Sequence, residues 1–306
     1  MKYPKKLNKG DTVGIICACS PVSAEREDQC VEAIMKMGYK VKKGDNISTC
    51  IGGYMAGTGE TRGRWVNKMF ADPEVDAIFC VRGGDAGNQA MEYVDLDIVR
   101  DNPKIFVGYS DVTSFHLAFN QQCGLVTFHG PMVSSNMVDN FDAETEASFY
   151  EAINADEDYG FRNPKGFDLQ AWHPGRAEGT LTGGNITLLA ASLGTPYEVD
   201  TKGKILFMEE VHGNVDETDR IVWQLRNAGK FRDAAGILLG QFTDCRNAHD
   251  DSYGMLDMMR HALEDYTGPV MINVQSGHGF PMMTLPMGAG CSFDTETRTI
   301  RFHVSR

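Results

Sequence analysis

Residues 104–119 read KIFVGYSDVTSFHLAF. Residues 104–107 have the apolar, β-rich character of a buried strand, whereas Val112, Phe115, Ala118 and Phe119 recur at helical spacing. A strand therefore passes into a helix across Gly108-Tyr109-Ser110-Asp111, and Gly124 closes that helix before a further strand near residues 126–128. The same unit recurs upstream. Residues 77–81 read as a strand, followed by a turn rich in glycine (Gly83, Gly84, Gly87) and a helix running through Met91 towards Val99. Before that, residues 12–19 (TVGIICAC) and the Ser20-Pro21 break lead into a helix carrying Val31, Ile34 and Met35, stopped by Gly38. Strands alternating with helices imply an α/β domain whose parallel sheet is covered on both faces.

Downstream the pattern weakens. Residues 139–174 are polar and aromatic, and read as a terminal helix followed by a linker. The expected organisation is a first domain over residues 1–150, a linker over 151–175 and a second, mixed domain over 176–306. That second part holds Gly179, Gly183 and Gly184, a short helix through Leu189 ended by Gly194, and strands near 205–208, 236–239, 270–274 and 299–304. A chain of 306 residues suits two domains at roughly 100 to 200 residues each.

Composition narrows the function classes. Hydrophobic residues make up 42% and charged residues 23%, which is ordinary globular usage. With 42 acidic against 29 basic side chains the net charge is -13, so a nucleic-acid backbone would be repelled. No apolar run approaches the ~20 residues of a membrane span, and the basic start MKYPKKLNKG precedes only a short apolar run without a small-residue cleavage site. The expectation is an unexported cytoplasmic protein with no membrane or nucleic-acid partner. The eight cysteines are scattered through apolar stretches, and the Cys17-x-Cys19 pair lacks a second pair, so reduced core thiols are expected and neither a metal nor a cofactor.

Several residues could carry chemistry. Ser110 lies where a sharp turn lifts a side chain above the C-terminal edge of a sheet, as nucleophiles require; the alternative is a helix N-cap. His278, between Gly277 and Gly279 after a strand, could move a proton near neutrality, or could be a surface histidine. Glu209 and Glu210 end a strand and should face opposite sides, so one could orient an imidazole while the other is solvent-exposed or paired with a base such as Arg220. The Arg82-Gly83-Gly84 turn could present backbone N–H groups to an oxyanion. No H-E-x-x-H or phosphate-cradling glycine motif is present.

Taken jointly the fragments resemble the LD-carboxypeptidase family, which includes muramoyl-tetrapeptide carboxypeptidases and the microcin self-immunity peptidases. The resemblance runs through Arg82-Gly83-Gly84, Gly108-Tyr109-Ser110-Asp111, Gly130-Pro131-Met132, Gly183-Gly184-Asn185, Glu209-Glu210, Gly277-His278 and Leu285-Pro286-Met287-Gly288. It implies a flavodoxin-like N-terminal domain, a β-rich C-terminal domain and a site in the groove between them. It also implies Ser110 as nucleophile with Glu209 and His278; with that machinery, the N–H groups of Gly84 and Asp111 are the expected oxyanion donors and Arg82 and Asn185 the expected substrate contacts. A muropeptide substrate, a homodimer and removal of a terminal D-alanine in peptidoglycan recycling follow from the same resemblance. The rivals are a peptidase of aminoacyl-nucleotide conjugates, a catalytically silent muropeptide-binding protein and, last, a metal-dependent hydrolase using Glu209 and Glu210. The family usually has an aromatic residue after the Arg-Gly-Gly turn, where this chain has Asp85.

Overall fold

The computed structural model describes residues 1–305, which divide into two compact units. The first comprises Met1–Asp156 and Thr284–Gly288. Its strands are β1 (Thr12–Ile16), β2 (Lys40–Lys43), β3 (Ala77–Cys80), β4 (Ile105–Gly108) and β5 (Thr127–His129), all parallel, in the order β2-β1-β3-β4-β5. That is the flavodoxin-like order expected from the resemblance. Every residue of β3, β4 and β5 is buried, because helices cover both faces.

The helices are α1 (Ala24–Lys36), α2 (Gly59–Ala71), α3 (Gly87–Met91), α4 (Leu96–Asp101), α5 (Thr113–Cys123) and α6 (Ala143–Asn154). Ser23 and Thr58 cap α1 and α2 by accepting the N–H of Arg26 and Thr61. The single helix expected through Met91 towards Val99 is in fact α3 and α4. Asp95 accepts the N–H groups of Asp97 and Ile98, which starts a new helix where a continuous one would need Asp95 in its interior. Chain order reverses at β1, whose neighbours β2 and β3 lie on opposite sides, so the carboxyl ends of β1 and β3 flank a switch point. The Arg82 turn follows β3 and the Ser110 turn follows its neighbour β4.

The second unit comprises Glu157–Met283 and Ala289–Val304. Its strands are β6 (Tyr159–Gly160), β7 (Gln170–His173), β8 (Arg176–Asn185), β9 (Ile205–Val211), β10 (Gly236–Thr243) and β11 (Val270–Ile272). The next strand, β12 (Leu285–Met287), pairs antiparallel with β5 of the first unit, and β13 (Gly290–Asp294) and β14 (Thr299–His303) complete the second. Its sheet runs β6-β14-β13-β8-β9-β10-β11-β7. The long β8 joins two halves: Arg176 to Thr180 pair antiparallel with β13, and Leu181 to Asn185 pair parallel with β9. The two segments approach so closely that a Cβ on Gly183 would lie 1.9 Å from the Phe207 carbonyl oxygen. Helices α7 (Ile186–Ala191), α8 (Val215–Asn227) and α9 (Met255–Ala262) accompany the parallel half.

Residues 151–175, read as a linker, hold the end of α6 and then β6 and β7, which form the two edges of the second sheet. Two- and four-residue edge strands leave too little periodicity to be seen in sequence.

Candidate active site

In the first unit, β4 ends at Gly108 and one 3-10 turn, Ser110–Val112, leads into α5. Ser110 is half-buried with φ +64, a left-handed conformation that costs a residue with a Cβ about 1–2 kcal/mol. An N-cap needs extended dihedrals, and neither this turn nor α5 has a side-chain cap. The cap reading of Ser110 is thereby excluded, and the strained strand-to-helix elbow is what remains. Behind the elbow His116 is wholly buried, its Nε2–H donating to the Gly108 carbonyl at 2.8 Å while Nδ1 accepts from the Thr127 hydroxyl at 2.8 Å. Burial lowers its pKa to about 4, with the Gly108 bond opposing, so the ring stays neutral.

The turn after β3 is brought against this elbow. A Cβ on Gly83 would lie 2.8 Å from the Ser110 Cβ, so only glycine leaves the serine its place. The buried Ser20 holds the turn from one side: its N–H donates to Gly83 O at 3.1 Å and its Oγ accepts the Asp85 N–H at 3.0 Å. The Asp111 carboxylate holds the other side, accepting the Gly87 N–H at 2.6 Å. The fully buried Arg62 on α2 donates to Ala86 O at 2.5 Å and to Gln89 Oε1 at 3.0 Å. Desolvation raises Asp111 to about 6, while the Cys19 thiol, the Gly87 N–H and Arg62 stabilise its charge and Asp85 opposes it. Arg82 is exposed, with Nη1 3.5 Å from Pro21 O.

In the second unit, β9 carries both glutamates into buried surroundings. Glu209 has no exposure, and its Oε2 lies 2.7 Å from His278 Nδ1, with the histidine side chain 15% exposed. A carboxylate can only accept here, so Nδ1 carries the proton and Nε2 is left as the basic nitrogen. Desolvation raises the Glu209 pKa, His278 and Asn185 counter it, and Glu210 adds to the rise.

Glu210 is neither solvent-exposed nor paired with Arg220, as had been expected. It is 4% exposed and accepts from Asn185 Nδ2 (2.8 Å), the Thr187 N–H (3.0 Å) and hydroxyl (2.7 Å), and the Val211 N–H (2.9 Å). Asn185, expected to contact substrate, is 3% exposed, with Nδ2 donating to Glu210 and Oδ1 accepting the Leu188 N–H.

Each unit thus assembles its share of the expected residues: Ser110, Asp111, Arg82 and Gly84 in the first, Glu209, His278 and Asn185 in the second. Sequence reasoning missed Ser20 and Arg62. Ser20 was visible as punctuation after β1; an arginine in an amphipathic helix reads as surface, and nothing local marks Arg62 as buried. Among the described residues no three His, Cys, Asp or Glu side chains cluster as a metal site, and no helix is long and apolar enough to cross a membrane.

Comparison with known proteins adds four findings. The chain matches the family models for the LD-carboxypeptidase N-terminal domain over residues 13–130 and the LD-carboxypeptidase C-terminal domain over residues 178–293. It is 38% identical to a "Probable murein peptide carboxypeptidase" of Bacillus subtilis (strain 168), covering 97% of this chain and 92% of that protein. It is 25% identical to the microcin C7 self-immunity protein MccF of Escherichia coli, covering 96% and 93%. Among solved structures, muramoyltetrapeptide carboxypeptidase from Oxalobacter formigenes superposes with a TM-score of 0.83 at 25% identity, covering 96% of this chain and 99% of that one.

Proposed function

The chain belongs to the LD-carboxypeptidase family, and on that premise we propose that it is a serine-type carboxypeptidase that removes the terminal D-alanine from murein tetrapeptides. The observation that carries the reading is the 2.7 Å contact between His278 Nδ1 and the fully buried Glu209, which readies an imidazole for proton transfer. Ser110, raised on its strained elbow, is the nucleophile. Its Oγ attacks the scissile carbonyl as His278 Nε2 takes the hydroxyl proton, and that proton then passes to the departing D-alanine amine. Water hydrolyses the acyl-serine in the second half, again with His278 as base, and returns the free hydroxyl.

The backbone N–H groups of Gly84 and Asp111 stabilise the tetrahedral oxyanion, worth roughly 3 kcal/mol per donor. Gly84 is suited to this because Ser20, Asp111 and Arg62 hold its loop from three sides. Arg82, exposed at the start of the same loop, takes the substrate's terminal carboxylate. The eight free thiols fit a reducing compartment, which supports a cytoplasmic role in recycling wall peptides.

A second reading, hydrolysis of an aminoacyl-nucleotide conjugate by the same residues, is favoured by the microcin self-immunity relative. Mass spectrometry of a defined tetrapeptide stem separates the two. Wild type should release one D-alanine and leave a tripeptide, Ser110→Ala and His278→Ala should lose several orders of magnitude in kcat, and a pentapeptide should be a poor substrate because its carboxylate lies one residue beyond the site. Equal cleavage of pentapeptide, or inertness towards both stems with turnover of an aminoacyl-nucleotide, would overturn the murein assignment.

A further inference from the structure

His278 is flanked by two glycines, and Gln241 lies against the space of both missing side chains, with Glu209 Oε2 3.2 Å from a Cβ on Gly277 as well. A Cβ on Gly277 would lie 3.0 Å from the Gln241 Cβ, and a Cβ on Gly279 2.7 Å from Gln241 Nε2. Gln241 follows Gly240 on β10, where the register against β9 shifts between Leu239 and Phe242, and it threads between the backbone on either side of the histidine. Its Oε1 accepts the Gly279 N–H at 2.8 Å.

The rest of its amide belongs to a directed chain. Gln241 Nε2 donates to Gln275 Oε1 (2.9 Å), Gln275 Nε2 to Asn273 Oδ1 (2.6 Å), and Asn273 Nδ2 to the Asp168 carbonyl (2.8 Å). The chain starts at a backbone N–H, which can only donate, and ends at a backbone C=O, which can only accept. Every amide between them therefore has one permitted orientation, and reversing any of them would set like groups facing each other. Bonds aligned in one direction also polarise one another. A second bond to the base of the loop, from the Gln275 N–H to Asn163 Oδ1 at 2.9 Å, anchors the same segment.

We propose that Gln241 is the positioning residue of the loop that bears His278, holding the imidazole on Glu209 through the Gly279 N–H, with the Gln275 and Asn273 amides fixing its orientation. The inference rests on the reading of His278 as the catalytic base. Gln241 touches neither substrate nor reacting atoms in this role, so its loss should show in kcat with KM preserved, since a displaced base weakens the chemical step.

The test pairs two variants in the full-length protein with a tetrapeptide stem, alongside His278→Ala. Gln241→Met keeps the bulk between the glycines and removes the acceptor; it should lower kcat about a hundredfold, leave KM within about twofold, and broaden or move the low-field Nδ1 proton resonance of His278. Gln241→Glu keeps an oxygen for the Gly279 N–H but sets its other oxygen against Gln275 Oε1, so it should lose kcat by about tenfold, less than Gln241→Met, and move the resonance less. Wild-type kcat and an unmoved resonance in Gln241→Met, with His278→Ala inactive, would overturn the positioning role alone. If Gln241→Met fails to fold, Gln241→Ala takes its place, since it also removes the acceptor, and wild-type kcat with an unmoved resonance there overturns the role equally. Activity in His278→Ala would instead overturn the reading of the base.

Discussion

At the scale of single residues, the two adjacent glutamates show how burial divides labour. Glu209 and Glu210 are both buried, yet one faces an imidazole and the other faces three donors around the start of α7 and the Val211 N–H. Glu209→Gln should leave the fold intact and lower kcat on the order of 10³-fold or more, by removing the charge that orients and stabilises the protonated ring. Glu210→Gln should do the reverse, because an amide sets its own N–H groups against the donors of Asn185 and Thr187; it should lose about 1–3 kcal/mol of stability and keep most of its turnover. Steady-state kinetics and urea melts on both variants decide this. Should Glu210→Gln be the one that loses turnover at unchanged stability, the imidazole partner has been placed on the wrong face of β9.

At the scale of elements, the junction of β3, β4 and α5 is held by charge taken out of water. Asp111 anchors the turn after β3 through Gly87, and desolvation raises its pKa to about 6 against Cys19, Gly87 and Arg62. Between about pH 4 and pH 6 the folded chain therefore keeps a proton that the unfolded chain has released, so this group lowers stability as pH rises through that window. Asparagine cannot titrate and still offers an oxygen to Gly87. Relative to wild type, Asp111→Asn should gain about 2–3 kcal/mol between pH 4 and pH 7. Denaturant midpoints at the two ends of that range measure it, and a constant difference across the range would show that Asp111 titrates normally.

At the scale of the whole chain, the two units are not two successive segments. The polypeptide leaves the second unit after Met283, supplies β12 to the first, and returns at Ala289 to finish the second. Strand β12 closes the otherwise open edge of β5, and Pro286 is tolerated in it because an edge strand has a side without ladder bonds. A fragment of residues 1–156 would lack that cover and expose the buried edge formed by Thr127, Phe128 and His129. The fragment should aggregate by light scattering, and joining residues 283–289 to its end through a flexible linker should restore a soluble monomer. Equal solubility of the two would mean that β12 is dispensable to the first sheet.

What the sequence determined by itself was whatever is encoded in short stretches. The run 104–119 specifies strand, elbow and helix through its own periodicity and turn, and Ser110 was legible for that reason. His278 was legible as a residue between two glycines, but the cause of those glycines lies some 36 positions upstream in Gln241, which no local pattern reveals. The tertiary structure alone decided that Glu210 is buried beside Asn185, that Arg62 is interior, that 151–175 supplies two edge strands, and that residues 285–287 complete the first sheet. These are pairings between distant segments, and they depend on which surfaces meet when the chain buries its apolar area. Propensity and periodicity describe only the segment that carries them.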